Sequence, residues 1–183
     1  FKYFYRTEKI SSNPAELTIT PKRHEKEIVR LEPNEVAEML DVIENGANMT
    51  SKQKEYYNKT KTRDLAIVTL LLGTGLRVSE CVGLDISDID FRNDGFHITR
   101  KGGDESIIYF GPEVEIALLN YLEEREQIEP HTGHDNALFL SMQKKRISVD
   151  AVENLVKKYT SQITAKKITP HKLRSTYGTN LYQ

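Results

Sequence analysis

Apolar residues recur at helical spacing in the first part of the chain and predict two helices there. The first is predicted within residues 31–46, where Pro33 suits the first turn and Gly46 the end. Its apolar positions follow the i, i+3, i+4, i+7 pattern of an amphipathic helix and are Val36, Met39, Leu40 and Ile43. Residues 65–72 are apolar on every side. This second segment therefore predicts a helix buried in the domain centre.

From residue 86 the spacing changes to short β-prone runs separated by turn signals. The runs are residues 86–91, 95–100 and 105–110, and they are joined across RNDG and RKGGDE. Glycine in both connections favours tight turns between neighbouring strands. The pattern predicts a small antiparallel sheet of three strands.

Helical spacing returns after the sheet and continues to the last residues. One helix is predicted with the apolar face Ile116, Leu119 and Leu122. A second, capped by Ser148, has the apolar stripe Val152, Leu155, Val156, Tyr159 and Ile163. Thr169 and Pro170 suit the cap and first turn of a last helix. The predicted fold class is therefore α+β, mainly α, with one small three-stranded antiparallel sheet.

Composition narrows the class of protein. The 183 residues give room for one ordinary domain and a little more. No apolar run has the length of a membrane span, so we expect a cytoplasmic protein with no membrane partner. The single cysteine, Cys81, excludes an internal disulfide and is interpreted as core. Residues 1–12 are typical of the end of a helix, and residues 11–30 have the composition of a linker.

Positive charge is concentrated at the C-terminal end, although the net charge is only −1. From Lys144 onward there are nine Lys and Arg against two acidic residues. A locally cationic face can attract a phosphate backbone even on a neutral protein, whereas the alternative is a solvated helix face. The candidate phosphate contacts in this part of the chain are Lys144, Lys145, Arg146 and Lys172.

Three positions in the chain are candidates for binding an anion, because each has a cationic side chain at the end of a helix or in a turn. Arg77 follows the buried helix and Gly75, so it is predicted either to pair with Glu80 or to bind an anionic ligand. Lys101 lies in the glycine turn between two strands. His171 and Arg174, spaced i, i+3, share one face of the last helix near its N-terminus. A pair of this kind suits an oxyanion such as a phosphate.

The order of these residues resembles the catalytic domain of the tyrosine recombinases, the phage-integrase family of site-specific DNA recombinases. LLLGTGLRVSECVGLDISDID resembles the family's first-arginine segment, and TPHKLRSTYGTNL resembles its H-x-x-R helix. The resemblance implies that Arg77 and Arg174 clamp the scissile phosphate, that Lys101 is the general acid and that His171 is the first active-site histidine. It further implies strand cleavage and rejoining through a 3′-phosphotyrosyl intermediate. Two guanidinium groups can stabilise the charge at phosphorus, so no metal or cofactor is expected.

The resemblance also implies a domain organisation and partners. Residues 1–20 would be the remnant of a helical core-binding domain with the start of a linker, and residues 21–183 would be the catalytic domain. The linker residues Lys22, Arg23 and Lys26 would contact phosphates of double-stranded DNA. The full-length protein would form a homo-tetramer on DNA, and the fragment would be monomeric.

Two features depart from the family pattern. Ser175 stands where many members have histidine, at a position outside the core catalytic set. The family's later glycine-histidine motif and its nucleophilic tyrosine are absent, so the catalytic domain is expected to be incomplete and inactive as given. Tyr177 and Tyr182 are interpreted as packing residues, since a rigid helix gives neither a suitable approach to the phosphate.

Three alternatives accompany this interpretation. The first is a catalytically inactive DNA-binding module of the same fold. The second is a metal-dependent nuclease that binds Mg²⁺ through the carboxylates of DISDID, which otherwise form a solvated turn: Asp85, Asp88 and Asp90. The third is a zinc site in HTGHD, which is otherwise a surface loop, with the ligands His131, His134 and Asp135.

Overall fold

The computed structural model describes residues 1–18, 29–46, 49–99, 103 and 105–180. Within these ranges the chain forms α-helices and one small sheet, which confirms the predicted α+β class. The elements are α1 (Lys2–Arg6), α2 (Pro33–Asn45), α3 (Ser51–Thr74), α4 (Val78–Gly83), β1 (Ile89–Asp90), β2 (Gly95–Thr99), β3 (Glu105–Tyr109), α5 (Pro112–Glu126), α6 (Val149–Ile163) and α7 (Pro170–Asn180). None of the described helices combines the length and hydropathy that a membrane span requires.

The long helix α3 lies at the centre of the domain and packs against α2, α4, α5, α6 and α7. Most of its apolar run is fully buried, as the sequence predicted, through Ala66, Ile67, Val68, Leu70 and Leu71, and Leu65 and Leu72 are partly buried against the core. The helix begins well before that run, at Ser51, where the hydroxyl of Thr50 accepts a hydrogen bond from Gln53 N. Burial on all sides fixes the C-terminal end of α3 and whatever directly follows it.

The sheet has the antiparallel order β1-β2-β3, with Ile89 opposite Phe96 and Phe96 opposite Ile108. Phe96 and Ile98 are buried and attach the sheet to the core. The prediction of a strand over residues 86–91 was too long. Residues 86–88 instead form a 3₁₀ turn, because the Asp88 carboxylate accepts a hydrogen bond from Asp85 N at 2.8 Å.

The predicted helix α5 is present, but two of the three residues of its predicted apolar series are exposed. Ile116 and Leu119 are 59% and 45% exposed, and Leu122 is half-buried. The buried face is offset from it and consists of Val114, Ala117, Leu118 and Tyr121. Both apolar series have helical spacing, so the spacing alone cannot show which of them is buried. Tyr121 decides the face, because its ring stacks on Phe139 and its hydroxyl accepts a hydrogen bond from Leu140 N.

The remaining predictions for the core are confirmed. In α2, Met39 and Ile43 are buried, and Val36 and Leu40 pack against them. In α6, the Ser148 hydroxyl caps the helix, and the predicted stripe from Val152 to Tyr159 is buried. Cys81 is fully buried, and desolvation raises the pKa of its thiol to about 12. Such a thiol is inert at neutral pH.

Candidate active site

Arg77 lies at the junction between the buried helix α3 and the short helix α4. The chain leaves α3 through Gly75, whose φ of 62° is left-handed, and passes the buried Leu76. Arg77 is then the N-cap of α4. Glu80, one turn into α4, accepts hydrogen bonds from the backbone N of Arg77 and from its guanidinium, both at 2.8 Å. The junction therefore fixes the backbone of Arg77 in place.

The Arg77 side chain pairs with Glu80 and yet faces solvent. It is 57% exposed, whereas Glu80 is 13% exposed. The sequence left open whether Arg77 pairs with Glu80 or reaches an anionic ligand. The structure shows the pair, and the exposure leaves the guanidinium accessible to a ligand that approaches from solvent. A planar guanidinium can hold a carboxylate on one edge and present other N–H groups to a phosphate.

Helix α7 carries His171 and Arg174 on the side turned away from the core. His171 is exposed, and Arg174, one turn later, is half-buried. The opposite side of α7 is fixed by Leu173 and Thr176, which are 0% and 1% exposed. The Thr176 hydroxyl also accepts a hydrogen bond from Leu31 N at 3.1 Å. These contacts set the rotation of α7, so that His171 and Arg174 point outward together.

The two arginine-bearing segments meet where Tyr177 packs on Gly75. A Cβ atom at residue 75 would lie 2.4 Å from Cδ1 of Tyr177, so the ring lies directly against the glycine backbone. Gly75 comes two residues before Arg77, and Tyr177 comes one turn after Arg174. The contact therefore joins the segment that carries Arg77 to the helix that carries His171 and Arg174. It also gives Tyr177 the packing role predicted for it.

Two of the predicted phosphate contacts, Lys144 and Lys145, have exposed side chains. They lie in a tight loop closed by hydrogen bonds from Ser141 N to Lys145 O and from Lys144 N to Ser141 O. Lys172 is half-buried on α7, and its carbonyl accepts a hydrogen bond from Thr176. These three cations stay predicted phosphate contacts.

Arg146 was predicted with these lysines as a phosphate contact, but its guanidinium is engaged within the domain. It donates hydrogen bonds to the carbonyls of Val82, Gly83 and Leu84 at 3.1, 3.0 and 2.8 Å. It also forms an ion pair with Asp85. No pattern in the sequence indicates this role, since α4 is too short for its periodicity to be recognised.

Several predicted site residues lie outside the described part of the chain. Lys101 belongs to the connection between β2 and β3, and only residue 103 of that connection is described. The linker residues Lys22, Arg23 and Lys26 and the second tyrosine, Tyr182, also fall outside it. Their roles stay predictions.

The carboxylates of the proposed magnesium site are engaged in local turns. Asp85 pairs with Arg146, and Asp88 accepts from Asp85 N. Asp90 accepts from the side-chain amide of Asn93 at 2.6 Å, which lowers the pKa of its carboxyl. Of the proposed zinc ligands, His134 accepts a hydrogen bond from Arg146 N through Nδ1. Among the described residues, no group of three or more His, Cys, Asp or Glu is arranged to hold a metal ion.

Comparison with known proteins gives one consistent result. The model of the phage integrase family matches residues 29–183. Tyrosine recombinase XerS of Streptococcus agalactiae serotype III (strain NEM316) is 36% identical over 187 aligned residues, which cover 98% of this chain and 52% of that protein. The chain thus spans about half the length of the curated relatives it matches.

Solved structures agree with this match. The crystal structure of XerA recombinase has a TM-score of 0.69 and 26% identity, and the alignment covers 99% of this chain and 57% of that one. The Tn1549 transposon integrase, solved in complex with circular intermediate DNA, has a TM-score of 0.65 and 27% identity. That alignment covers 100% of this chain and 62% of the integrase. All the helices that carry Arg77, His171 and Arg174 fall within the aligned regions.

Proposed function

The chain belongs to the phage integrase family, and on that premise we propose that it supplies the phosphate-binding centre of a site-specific DNA recombinase. The reaction is strand cleavage and rejoining through a 3′-phosphotyrosyl intermediate. The observation that supports the proposal most is the packing of Tyr177 on Gly75. This contact supports the proposal because it joins the segment of Arg77 to the helix of His171 and Arg174, so that three groups able to bind one phosphate would share a surface.

Each group has a distinct task in this mechanism. Arg77 and Arg174 hold the non-bridging oxygens of the scissile phosphate and stabilise the charge that develops at five-coordinate phosphorus. His171 donates a hydrogen bond to the same phosphate. As a tyrosine oxygen bonds to phosphorus, its hydroxyl proton passes to water and the bond from phosphorus to the 5′ oxygen breaks. Lys101 then donates a proton to that 5′ oxygen. Rejoining reverses these steps, because the phosphotyrosyl link conserves the phosphodiester energy.

The nucleophile is not assigned to a tyrosine of the described part. Tyr177 packs against Gly75, and this contact holds its ring between α3 and α7. Tyr159 is fully buried, and burial together with the neighbouring Asp64 raises the pKa of its hydroxyl. Tyr121 is also buried and accepts a hydrogen bond from Leu140 N.

The proposed substrate is double-stranded DNA. The Tn1549 integrase was solved with DNA, and this chain has exposed lysines at residues 144 and 145. Together with Lys172 and the linker residues Lys22, Arg23 and Lys26, they would contact phosphates and position the duplex. The catalytic domain would comprise residues 21–183, of which the family model matches residues 29–183. Assembly as a tetramer on DNA is part of the same proposal.

Covalent capture tests this function. The intact protein that carries this sequence is incubated with sheared, randomly nicked genomic DNA of its source, in the presence of a chelator. Where a nick lies close to the cleavage site, cleavage releases a short strand that carries the 5′ hydroxyl, and this strand diffuses away. Rejoining is then prevented, so a protein–DNA adduct accumulates that resists denaturing electrophoresis. Sequencing the adducts should return one DNA site.

Matched variants make the result specific. The adduct should disappear in Arg77→Ala and Arg174→Ala and persist in Arg92→Ala, which removes an exposed arginine from the turn between β1 and β2. Binding of DNA by the unaltered protein without any adduct would identify a non-catalytic DNA-binding module instead. An adduct that forms equally in all three variants would contradict the assignment of the two arginines.

A further inference from the structure

The C-terminal end of α4 is held by a side chain from a distant part of the sequence. A helix leaves its last carbonyl groups without partners, and α4 is only six residues long. The Nη1 group of Arg146 lies within 3.1 Å of the carbonyl oxygens of Val82, Gly83 and Leu84. A cation at this end is also favoured by the helix dipole. Arg146 thus closes the end of α4 opposite Arg77.

Arg146 is itself attached to the core, so it can act as a fixed support. Its backbone N donates to His134 Nδ1 at 3.2 Å, and the next residue, Ile147, is 3% exposed and donates to Phe139 O at 2.9 Å. The Nη2 group pairs with Asp85, the second residue after α4. The guanidinium is therefore held between a buried segment and the residues that leave α4.

A second set of contacts fixes the same end of α4. Leu138 N donates to Leu84 O at 3.0 Å, and Ile86 N donates to Asn136 O at 2.8 Å. The residues after α4 thus pair with residues 136–138, while Arg146 binds the helix end from its own loop. Core packing of Cys81 and Leu84 also holds α4. Arg146 differs from these contacts because its side chain binds the carbonyl groups of the helix end directly.

A shift at one end of α4 would reach the other end. Six helical residues span only ~9 Å, and such a short helix tilts as a rigid unit. Its first turn carries Glu80, which binds both the backbone and the guanidinium of Arg77. Tilting α4 would therefore move Arg77 and its carboxylate partner together. A displacement of ~1 Å at a reacting group can lower a rate by about 10²-fold.

We propose that Arg146 is a positioning residue for strand cleavage, because it fixes α4 and thereby the direction in which Arg77 meets the scissile phosphate. The inference rests on the proposed recombinase function. It also replaces the prediction that Arg146 contacts DNA: the guanidinium is 32% exposed at side-chain level and engaged by three carbonyls and a carboxylate.

The test compares cleavage, DNA affinity and thermal stability in the intact protein. The variants are Arg146→Ala and Arg146→Lys, with Gln143→Ala as an exposed control in the same loop. Single-turnover cleavage is measured on the DNA site recovered by covalent capture, with protein in excess and well below each variant's melting temperature. Affinity is measured for the same site at several salt concentrations.

We expect Arg146→Ala to lower the cleavage rate by about 10–100-fold while the Kd for DNA and its salt dependence stay unchanged. Lysine keeps the charge but offers a point donor instead of a planar fork, so Arg146→Lys should recover part of the rate. Gln143→Ala should cleave at the original rate. Asp85→Asn keeps the hydrogen bonds from Arg146 to the carbonyls, so its cleavage rate should fall less than that of Arg146→Ala. It replaces the alanine variant in the test if that variant does not fold.

Two outcomes would overturn the inference. A weaker Kd in Arg146→Ala, with a salt slope reduced by about one and an unchanged cleavage rate, would make Arg146 a phosphate contact. A lower melting temperature with unchanged cleavage would limit Arg146 to fold stability. Failure of the unaltered protein to cleave any DNA would instead refute the proposed function itself.

Discussion

Two arginine–carboxylate pairs in this domain have opposite surroundings, although each joins residues that are close in sequence. Arg63 and Asp64 belong to α3, with side chains that are 14% and 4% exposed. Arg77 and Glu80 lie at the start of α4, where the Arg77 side chain is 57% exposed. The first pair is enclosed by the protein, whereas the second presents its cation to solvent.

The hydrogen bonds of the buried pair show what it does. Asp64 accepts from Arg63 at 2.7 Å and, through its other oxygen, from the hydroxyl of Tyr159 at 3.0 Å and that of Thr60 at 3.3 Å. Arg63 also donates to Leu140 O at 2.9 Å. The pair thus joins α3 to α6 and to the loop after α5. An arginine enclosed by carbonyls and carboxylates therefore stabilises the fold, while an arginine with an exposed edge can bind a ligand.

The largest expected effect on stability comes from breaking the buried pair. Asp64→Ala leaves the guanidinium of Arg63 buried without its carboxylate, and should lower the free energy of unfolding by about 3–5 kcal/mol. Urea denaturation measures this change. Glu55→Gln, which removes an exposed partner of Lys59, is the control and should change it by less than about 0.5 kcal/mol. A loss below about 1 kcal/mol in Asp64→Ala would mean that the enclosed pair adds little to the fold.

The exposed pair should behave in the reverse way. Arg77→Lys keeps the charge and the possibility of pairing with Glu80, but it loses the planar fork that can hold two phosphate oxygens. We expect strand cleavage to fall by about 10²–10³-fold, while the free energy of unfolding changes by less than about 1 kcal/mol. Single-turnover cleavage and urea denaturation of one preparation test both statements. Equal cleavage by lysine and arginine would show that only charge is needed at residue 77.

The contact that joins Arg77 to α7 can be broken at Gly75. Gly75→Ala places a Cβ 2.4 Å from the ring of Tyr177 and forces alanine to a φ of 62°, so it should cost about 2–3 kcal/mol of stability. Gly83→Ala is the matched control, because a Cβ there would have no atom within 4 Å. It should be neutral or slightly stabilising. Similar losses in both variants, measured by denaturation, would argue against a close approach of Tyr177 to Gly75.

The smallest effect is expected for a pair intermediate between these two. Glu35 is 14% exposed, and its hydrogen bond from Lys166 at 2.7 Å lowers the pKa of its carboxyl. A lowered pKa stabilises the fold above the unfolded pKa, and this contribution is lost as the pH falls through the folded pKa. The free energy of unfolding of the original protein should therefore fall by under ~1 kcal/mol as the pH drops below about 5. In Glu35→Gln this contribution to the pH dependence should be absent. The control is Glu38→Gln, an exposed residue of the same helix, which should keep the original pH dependence in denaturation curves.

The sequence predicted the fold correctly where the apolar residues of a segment allowed only one pattern of burial. The stripe of α6 and the all-apolar run of α3 each had a single interpretation, and both are confirmed. In α5, two apolar series had helical spacing, and only the contact of Tyr121 with Phe139 and Leu140 decides between them. Helix α4 has six residues and could not be recognised, because periodicity needs a longer window.

The candidate site was predictable in part for a similar physical reason. Arg77 could be singled out because a buried helix and a glycine precede it, and His171 with Arg174 because they share one helix face. The two segments are joined by the packing of Tyr177 against Gly75, about a hundred residues away in sequence, and no local pattern encodes this contact. Arg146 looked like its neighbours Lys144 and Lys145, and only the carbonyls of α4 distinguish it.

The claim that Arg77 and Arg174 bind the same phosphate is tested most directly by combining their substitutions. Single-turnover cleavage is measured for Arg77→Ala, Arg174→Ala and the double variant, on the DNA site recovered by covalent capture. Each single change should lower the rate by about 10²–10³-fold, and the double variant should fall by no more than about tenfold beyond the slower single variant, since residues that act as a unit are not additive. A double variant whose loss equals the product of the two single losses would show that the arginines act independently and would contradict the account.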